Sequence, residues 1–213
     1  MFKSKEDFIK FTIEEDILRF GDFTLKSGRK SPYFFNTGLC YSGKLLSSLS
    51  SFYAEYIIDN HLSYDFIFGP AYKGITLCSS ISQSLYNNYG IETTFAYNRK
   101  ERKNHGDSGI FVGYPPNGNA LIVDDVISSG SSIIDSLNLV QQYNASSNTA
   151  LVAFDRMEIG KSAMATGELN KDYNIKVHSL INLDDIYKYI LNDKKLVKHS
   201  TLMSEYISKY KGI

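Results

Sequence analysis

The sequence ALIVDDVISSGSS, residues 120–132, decides the fold. Its apolar run predicts a strand buried on both faces, with Asp124 and Asp125 at the carboxyl end, where open α/β sheets bind ligands. The small residues Ser128 to Ser132 predict a turn into a helix, whose backbone N–H groups and positive end suit one phosphate. Two solvated acids beside an ordinary serine cap, or an acid pair that holds magnesium in a nucleotide site, would give the same pattern.

Short apolar runs alternate with helical stretches along the rest of the chain. YDFIFG, ETTFAYN, TALVAFD and IKVHSLINL predict strands, and helical spacing predicts helices near residues 75–89, 131–143 and 184–191. This alternation is typical of βαβ units, so we predict an α/β fold, a mostly parallel twisted sheet flanked by helices. A chain of 213 residues with 43% hydrophobic content is expected to form one domain over residues 1–213.

Residues 1–60 predict a small N-terminal cap, or hood, over that domain. Ser4 is expected to begin a helix, because Ile9, Ile13, Ile17 and Phe20 follow it at helical spacing. A second helix is predicted over residues 45–57, and short extended pieces over residues 23–25 and 33–36.

The composition argues against several classes of partner. Its 23 basic and 23 acidic side chains cancel, so neither nucleic acid nor an anionic membrane is expected to bind. No apolar run is long enough to span a bilayer, and the start MFKSKEDF has no signal-peptide core, so we expect a cytoplasmic protein. Cys40 and Cys78 are too few for a disulfide framework or a zinc site and are expected to be buried.

Two common nucleotide-binding motifs find no support. Residues 38–45, GLCYSGKL, match GxxxxGK but end in Leu45, where a P-loop needs a hydroxyl for magnesium. No GxGxxG occurs. Nucleotide kinases and dehydrogenases are therefore disfavoured.

Residues 98–113, NRKERKNHGDSGIFVG, predict a long flexible loop outside any helix or strand. A solvated surface is the ordinary explanation of such a charge run. A ligand with several phosphate charges is the alternative, because five potential cations lie close together: Arg99, Lys100, Arg102, Lys103 and His105.

Three further motifs follow predicted strands or turns. Residues 69–74, GPAYKG, form a tight turn in which Lys73 suits a second anionic group or is simply exposed. Residues 24–35, TLKSGRKSPYFF, combine Lys26 with an aromatic pair that either stacks on a planar ring or packs in the core of a hairpin. Arg156 either grips a substrate carboxylate or forms a structural ion pair.

Together these motifs resemble the type I phosphoribosyltransferases. LIVDDVISSGSS resembles the segment of that family that binds 5-phosphoribosyl 1-diphosphate (PRPP), and the other motifs resemble its orotate-specific members in the same order. The resemblance implies transfer of the phosphoribosyl group from PRPP to orotate, giving orotidine 5′-monophosphate and pyrophosphate in de novo pyrimidine (UMP) biosynthesis. A transferase for uracil or a purine, and a non-catalytic nucleotide sensor, are the alternatives.

The resemblance also implies the role of each motif. Asp124 and Asp125 would hold the ribose hydroxyls, and Tyr72 and Lys73 would contact the pyrophosphate, next to a cis peptide at Ala71-Tyr72. The 5-phosphate would be wrapped by Val126, Ile127, Ser128, Ser129, Gly130, Ser131 and Ser132. Arg99, Lys100, Lys103 and His105 would close over the pyrophosphate, and the orotate site would hold Lys26, Phe34, Phe35, Ser128 and Arg156. The residues implied in catalysis are Lys26, Lys73, Lys103, His105, Asp124 and Asp125.

The family pattern implies Mg²⁺ as the cofactor, held mainly by the substrate and by Asp124 and Asp125 directly or through water. It further implies a homodimer in which the 98–113 loop of one subunit reaches into the site of the other. No Ser/His or Cys/His arrangement indicates a covalent intermediate.

Overall fold

The computed structural model describes residues 4–25, 28–103 and 109–212, with the backbone alone at 102 and 103. The strands in these ranges are β1 (Leu18–Thr24), β2 (Lys30–Phe35), β3 (Phe66–Gly69), β4 (Phe95–Lys103), β5 (Gly109–Gly113), β6 (Gly118–Ile127), β7 (Ala145–Asp155) and β8 (Lys176–Asn182). The helices are α1 (Lys5–Glu14), α2 (Gly43–Asp59), α3 (Lys73–Tyr89), α4 (Ser131–Gln141), α5 (Ala165–Tyr173), α6 (Leu183–Asn192) and α7 (Ser200–Tyr210).

The main sheet has the strand order β5-β4-β3-β6-β7-β8. Its neighbours run parallel, apart from the antiparallel pair β4–β5. The central strand β6 is buried on both faces: Leu121 and Val123 pack into the cluster on the α2 and α3 side, and Ile122 packs with α4 and α5 on the other. The α/β fold with a mostly parallel sheet between helices is therefore confirmed, and β6 ends in the middle of the sheet.

The N-terminal segment forms a separate hairpin covered by helices. Ser4 caps α1 in a capping box with Asp7, as predicted, but α1 ends at Glu14. The predicted helical positions Ile17 and Phe20 were wrong, because Asp16 takes a positive φ of 57° and the chain then enters β1, which pairs antiparallel with β2. The second predicted helix, α2, packs against α3 beside the main sheet, whereas α7 packs against β2.

The stretch 98–113 is mostly strand, which corrects the prediction that it lies outside any element. β4 continues to Lys103 and pairs antiparallel with β5 through contacts such as Asn98 with Phe111. β5 is the edge strand, so β4 extends along the margin of the sheet and tolerates charges such as the exposed Lys100 and Glu101. The remainder of the predicted loop, residues 104–108, lies outside the described residues.

Cys40 and Cys78 are free and buried, as predicted. Burial raises the pKa of the Cys40 thiol to about 11 and that of the Cys78 thiol to about 12, so both stay protonated at neutral pH and are poor nucleophiles. None of the described helices is long and apolar enough to cross a membrane.

Candidate active site

Asp124 lies at the carboxyl end of β6 and is tied to the start of α4. Its Oδ2 accepts a hydrogen bond from the Ser132 hydroxyl at 2.7 Å, and its Oδ1 accepts one from the N–H of Asp125 at 2.8 Å. The hydroxyl of Tyr53, on α2, donates to the backbone oxygen of Asp124 at 2.8 Å. The strand end is therefore fixed from both sides of the sheet.

Asp125 brings three parts of the chain together. Its Oδ2 accepts a hydrogen bond from Thr37 Oγ1 at 2.9 Å and lies 2.5 Å from the Nζ of Lys73, the first residue of α3. Lys73 Nζ also donates to Asn36 Oδ1 at 3.3 Å. Since the Lys73 side chain stays 48% exposed while that of Asp125 is 11% exposed, the ammonium group is oriented by the acid and still open to an anion.

Asp124 has a raised pKa. Burial raises the pKa of Asp124 to about 6, and the neighbouring charge of Asp125 adds to the increase, which the Ser132 hydrogen bond partly opposes. At neutral pH the ionised Asp124 carboxylate is therefore held at a free-energy cost. Groups that restore its solvation, such as hydroxyls or a cation, are favoured beside it.

The turn after the acid pair has the form of a phosphate site. Ser128 and Ser129 are exposed, Gly130 has a positive φ of 80°, and α4 begins at Ser131 with no side chain capping its N-terminus. The first N–H groups of α4 and the serine hydroxyls are thus available to an anion. Val126 and Ile127 still belong to β6 and pair with Phe154 and Asp155 of β7, and Ile127 is buried, so the turn begins at Ser128 and not at Val126.

The GPAYKG turn at the end of β3 faces the same edge. The Ala71-Tyr72 peptide is cis, as the resemblance implied, and the N–H of Ala71 donates to Asn98 Oδ1 on β4 at 2.9 Å. Tyr72 is exposed, and Lys100 Nζ lies 4.6 Å from the centre of its ring. Lys100 is thereby placed next to the turn that carries Lys73.

Arg99 contacts the opposite strand of its hairpin, with Nη1 donating to the backbone oxygen of Gly109 at 3.4 Å. The side chain of Lys103, and all of Lys26 and His105, lie outside the described residues.

Phe34 and Phe35 point to opposite faces of β2. Phe35 is buried, and its ring centre lies 5.1 Å from that of Phe154. Phe34 is partly accessible and stacks on Phe23 at 5.6 Å, with the Arg19 guanidinium also near its ring. Of the two rings, Phe34 is therefore the more accessible, while Phe35 belongs to the core.

Arg156 is held in an ion pair with Glu158. Its Nε donates to Glu158 Oε1 at 2.9 Å, and its Nη2 donates to the Tyr206 hydroxyl at 2.7 Å. Arg29 Nη1 lies 2.9 Å from Glu158 Oε2. Arg29, Glu158 and Tyr206 were not predicted from the sequence. Arg29 lies within the motif of residues 24–35 and Glu158 two residues after Arg156, so both had a local signal, whereas Tyr206 had none.

The described residues contain no group of three or more His, Cys, Asp or Glu side chains able to hold a metal ion. The acid pair nevertheless suits magnesium, which proteins commonly bind through one or two carboxylates together with substrate phosphates.

Comparison with known proteins agrees with this geometry. Residues 44–188 match the family model described as the phosphoribosyl transferase domain, a range that holds Tyr72, Lys73 and the whole of residues 120–132. Fold and site thus define a phosphoribosyltransferase.

Relatives narrow the class. The chain is 42% identical to an orotate phosphoribosyltransferase of Proteus mirabilis over 204 residues, with 95% of each chain covered, and 43% identical to one of Haemophilus influenzae over 211 residues, with 99% of each covered. The crystal structure of orotate phosphoribosyltransferase from Francisella tularensis superposes with a TM-score of 0.86 at 36% identity, covering 100% of this chain and 99% of that one. The chain belongs to the orotate phosphoribosyltransferase family, and the resemblance found in the sequence is confirmed.

Proposed function

We propose that this chain transfers the 5-phosphoribosyl group from PRPP to orotate, giving orotidine 5′-monophosphate and pyrophosphate in the de novo synthesis of UMP. The observation that carries the proposal is the meeting of Lys73 with the acid pair: an exposed ammonium group 2.5 Å from Asp125 Oδ2, beside a phosphate turn. One compact site thereby offers cationic and anionic groups to a sugar that carries phosphates at both ends.

The phosphoribosyl half of the site divides into two parts. Ser128 to Ser132 bind the 5-phosphate through backbone N–H groups and hydroxyls at the start of α4. Asp124 and Asp125 accept hydrogen bonds from the ribose hydroxyls, because ionised carboxylates are strong acceptors. The sugar is then held between the end of β6 and α4, with its anomeric carbon directed towards Lys73.

Departure of pyrophosphate is the difficult step, because positive charge develops on the sugar and negative charge on the leaving group. Lys73 and Tyr72 contact the pyrophosphate, and Lys73 stabilises its growing charge. The acid pair stabilises the positive charge on the ribose. Asp124 and Asp125 would be the residues that hold a magnesium ion, which would supply further neutralisation of the diphosphate charge.

Orotate binding uses the base side of the site. Orotate carries a carboxylate, which Arg156 binds, while Lys26, Phe34 and Ser128 surround the ring and Phe35 supports Phe34 from the core. The negative charge of orotate favours attack by its ring nitrogen, whose proton leaves as the bond to the anomeric carbon forms and passes to the departing pyrophosphate or to water.

The β4–β5 hairpin and residues 104–108 close the site. Arg99, Lys100, Lys103 and His105 cover the pyrophosphate, and the closed hairpin excludes water from the reacting atoms. In this proposal the hairpin of one subunit completes the site of the other, which makes a homodimer the active form. The enzyme is proposed to work in the cytoplasm.

The test is a spectrophotometric assay of orotate consumption in the presence of PRPP and Mg²⁺. Loss of orotate absorbance that requires both PRPP and the metal, with no product from uracil or hypoxanthine, is the expected result. Turnover of uracil or hypoxanthine in place of orotate would assign another base, and no turnover of any of them would favour a nucleotide sensor.

A further inference from the structure

The guanidinium of Arg156 lies in a buried cluster drawn from four parts of the chain. Arg156 and Glu158 follow β7, Tyr206 is on α7, Tyr33 is on β2 and Arg29 precedes β2. The Arg156 guanidinium lies 4.9 Å from the centre of the Tyr33 ring, and Tyr206 donates a short hydrogen bond to Glu158 Oε1. Arg156 is 7% exposed and Glu158 is 5% exposed. The cluster therefore fixes the guanidinium from its Nε edge and from one face.

The contacts of Arg156 leave part of its binding capacity free. A guanidinium has five N–H groups, and within the described residues Arg156 donates from Nε to Glu158 and from Nη2 to Tyr206. Its Nη1 donates to no described residue. Among the described residues, Tyr33 Oη is the only fully buried side-chain nitrogen or oxygen without a hydrogen-bond partner, so Nη1 is not fully buried. Arg156 thus keeps N–H groups that no described residue uses and that are not fully sealed from solvent.

The charges of the cluster favour an anionic ligand. Glu158 binds two arginines, Arg156 through Oε1 and Arg29 through Oε2. Two cations and one anion leave one net positive charge in a largely buried place. A buried net charge of this kind is stabilised when a counter-charge binds, and a planar carboxylate matches the fork of N–H groups on Arg156.

The partners of Arg156 come largely from outside the range shared with phosphoribosyltransferases in general. Arg29, Tyr33 and Tyr206 lie outside the matched residues 44–188, while Arg156 and Glu158 lie inside them. The end of α7 and the residues after it are also hydrogen-bonded to the segment that follows Arg156. The N–H of Gly212 donates to Met157 O at 2.8 Å, and the N–H of Ile159 donates to Tyr210 O at 3.2 Å. Segments outside the matched family domain therefore supply most of the side chains around Arg156.

We propose that Tyr206 and Glu158 are positioning residues that hold the Arg156 guanidinium to read the carboxylate of the base, and so set the preference for orotate over a neutral pyrimidine. This rests on the proposed function. Glu158 orients the Nε edge, Tyr206 holds Nη2, and Arg29 neutralises the second oxygen of Glu158. The remaining N–H groups of Arg156 are thereby directed to the substrate.

The test compares Tyr206→Phe with Tyr210→Phe. Tyr210 lies one turn further along α7, its ring packs over Arg29, and its hydroxyl makes no hydrogen bond to a described residue. Removing the Tyr206 hydroxyl is expected to raise the KM for orotate about ten-fold, as for loss of one hydrogen bond to a charged group, with kcat and the KM for PRPP changed less than about two-fold. Tyr210→Phe is expected to match the wild type.

A second measurement separates positioning from general damage. Uracil has no carboxylate, so its inhibition constant against orotate should be the same for the wild type and Tyr206→Phe. An equal weakening of orotate and uracil, or of orotate and PRPP, overturns the proposal. If Tyr206→Phe is unfolded at the assay temperature, Glu158→Gln is measured instead. It must raise the KM for orotate while leaving the inhibition constant of uracil and the KM for PRPP unchanged. Wild-type protein that does not turn over orotate at all would refute the proposed function, whereas an active wild type with an unchanged Tyr206→Phe refutes only the positioning role.

Discussion

Replacing Asp124 by Asn is expected to stabilise the protein at neutral pH while removing its activity. Burial raises the pKa of Asp124 from 3.8 to about 6. One pH unit of such a difference corresponds to about 1.4 kcal/mol, so holding this carboxyl ionised above pH 6 costs the folded state roughly 3 kcal/mol. Asn removes the charge, keeps an oxygen for the N–H of Asp125 and offers an amide to the Ser132 hydroxyl.

The sign of the pH dependence follows from the raised pKa. Between about pH 4 and pH 6 the folded state binds more protons than the unfolded state, so the contribution of Asp124 to the free energy of unfolding falls as pH rises through this window. The wild type therefore loses stability here relative to Asp124→Asn. We expect the variant to melt several degrees higher than the wild type at pH 8 and at about the same temperature near pH 4.

Calorimetric or circular-dichroism melts at several pH values measure this difference, and the orotate assay measures activity. Asp135→Asn is the matched control, because Asp135 is an exposed acid on α4 and its replacement should leave both melting and turnover close to the wild type. Turnover of Asp124→Asn should fall at least about 100-fold, by analogy with loss of one preorganised charged group. The reasoning would be refuted if Asp124→Asn melted at a lower temperature than the wild type at pH 8. It would also be refuted if the two melting temperatures differed by the same amount at pH 8 and pH 4.

Three further outcomes follow from the proposed function. Lys103→Ala should lower kcat about 100-fold or more with saturating substrates, and near-normal turnover would remove Lys103 from the mechanism. Arg156→Ala should raise the KM for orotate much more than that for PRPP, and an equal rise in both contradicts its assignment to the carboxylate. Mixing Lys103→Ala with Asp124→Asn subunits should restore about a quarter of wild-type activity if the hairpin serves the neighbouring site, because half of the dimers then hold one intact site. If heterodimers are shown to form and activity is still not restored, the hairpin of one subunit does not serve the site of the other.

The elements that local sequence specifies well were predicted well. β6 is apolar because it is buried on both faces, and the Ser4 capping box marks the start of α1. The first part of β4 was predicted from ETTFAYN, but its extension to Lys103 and its pairing with β5 were missed, because an edge pair accepts charged residues and so loses the alternation that identifies a strand. α5 and α7 were missed because each buries only two residues, Ala165 and Leu169 in one and Met203 and Tyr206 in the other, too few to give a clear helical period.

The candidate site likewise has one part that could be predicted from the sequence and one part that could not. The acid pair, the serine turn and Lys73 lie at the ends of predicted strands, and parallel strands bring their carboxyl ends to one edge, so sequence alone could place them together. The partners of Arg156 could not be placed in this way. Tyr206 is 50 residues from Arg156 along the chain, and the two meet only in the folded protein, where α7 packs against β2 and its end is hydrogen-bonded to the segment after Arg156.

The charges of the two halves of the site complement the charges of the proposed reaction. Around Asp124 and Asp125 the single close cation is Lys73 among the described residues, which leaves a net negative charge where positive charge develops on the ribose. Around Arg156 two arginines face one glutamate, which leaves a net positive charge where an anionic base binds. A chain with equal numbers of acids and bases thus separates its charge locally, without giving the whole protein a net charge that would bind other polyanions. The local charge around Arg156, and not the net charge of the chain, is what should determine which base the enzyme accepts.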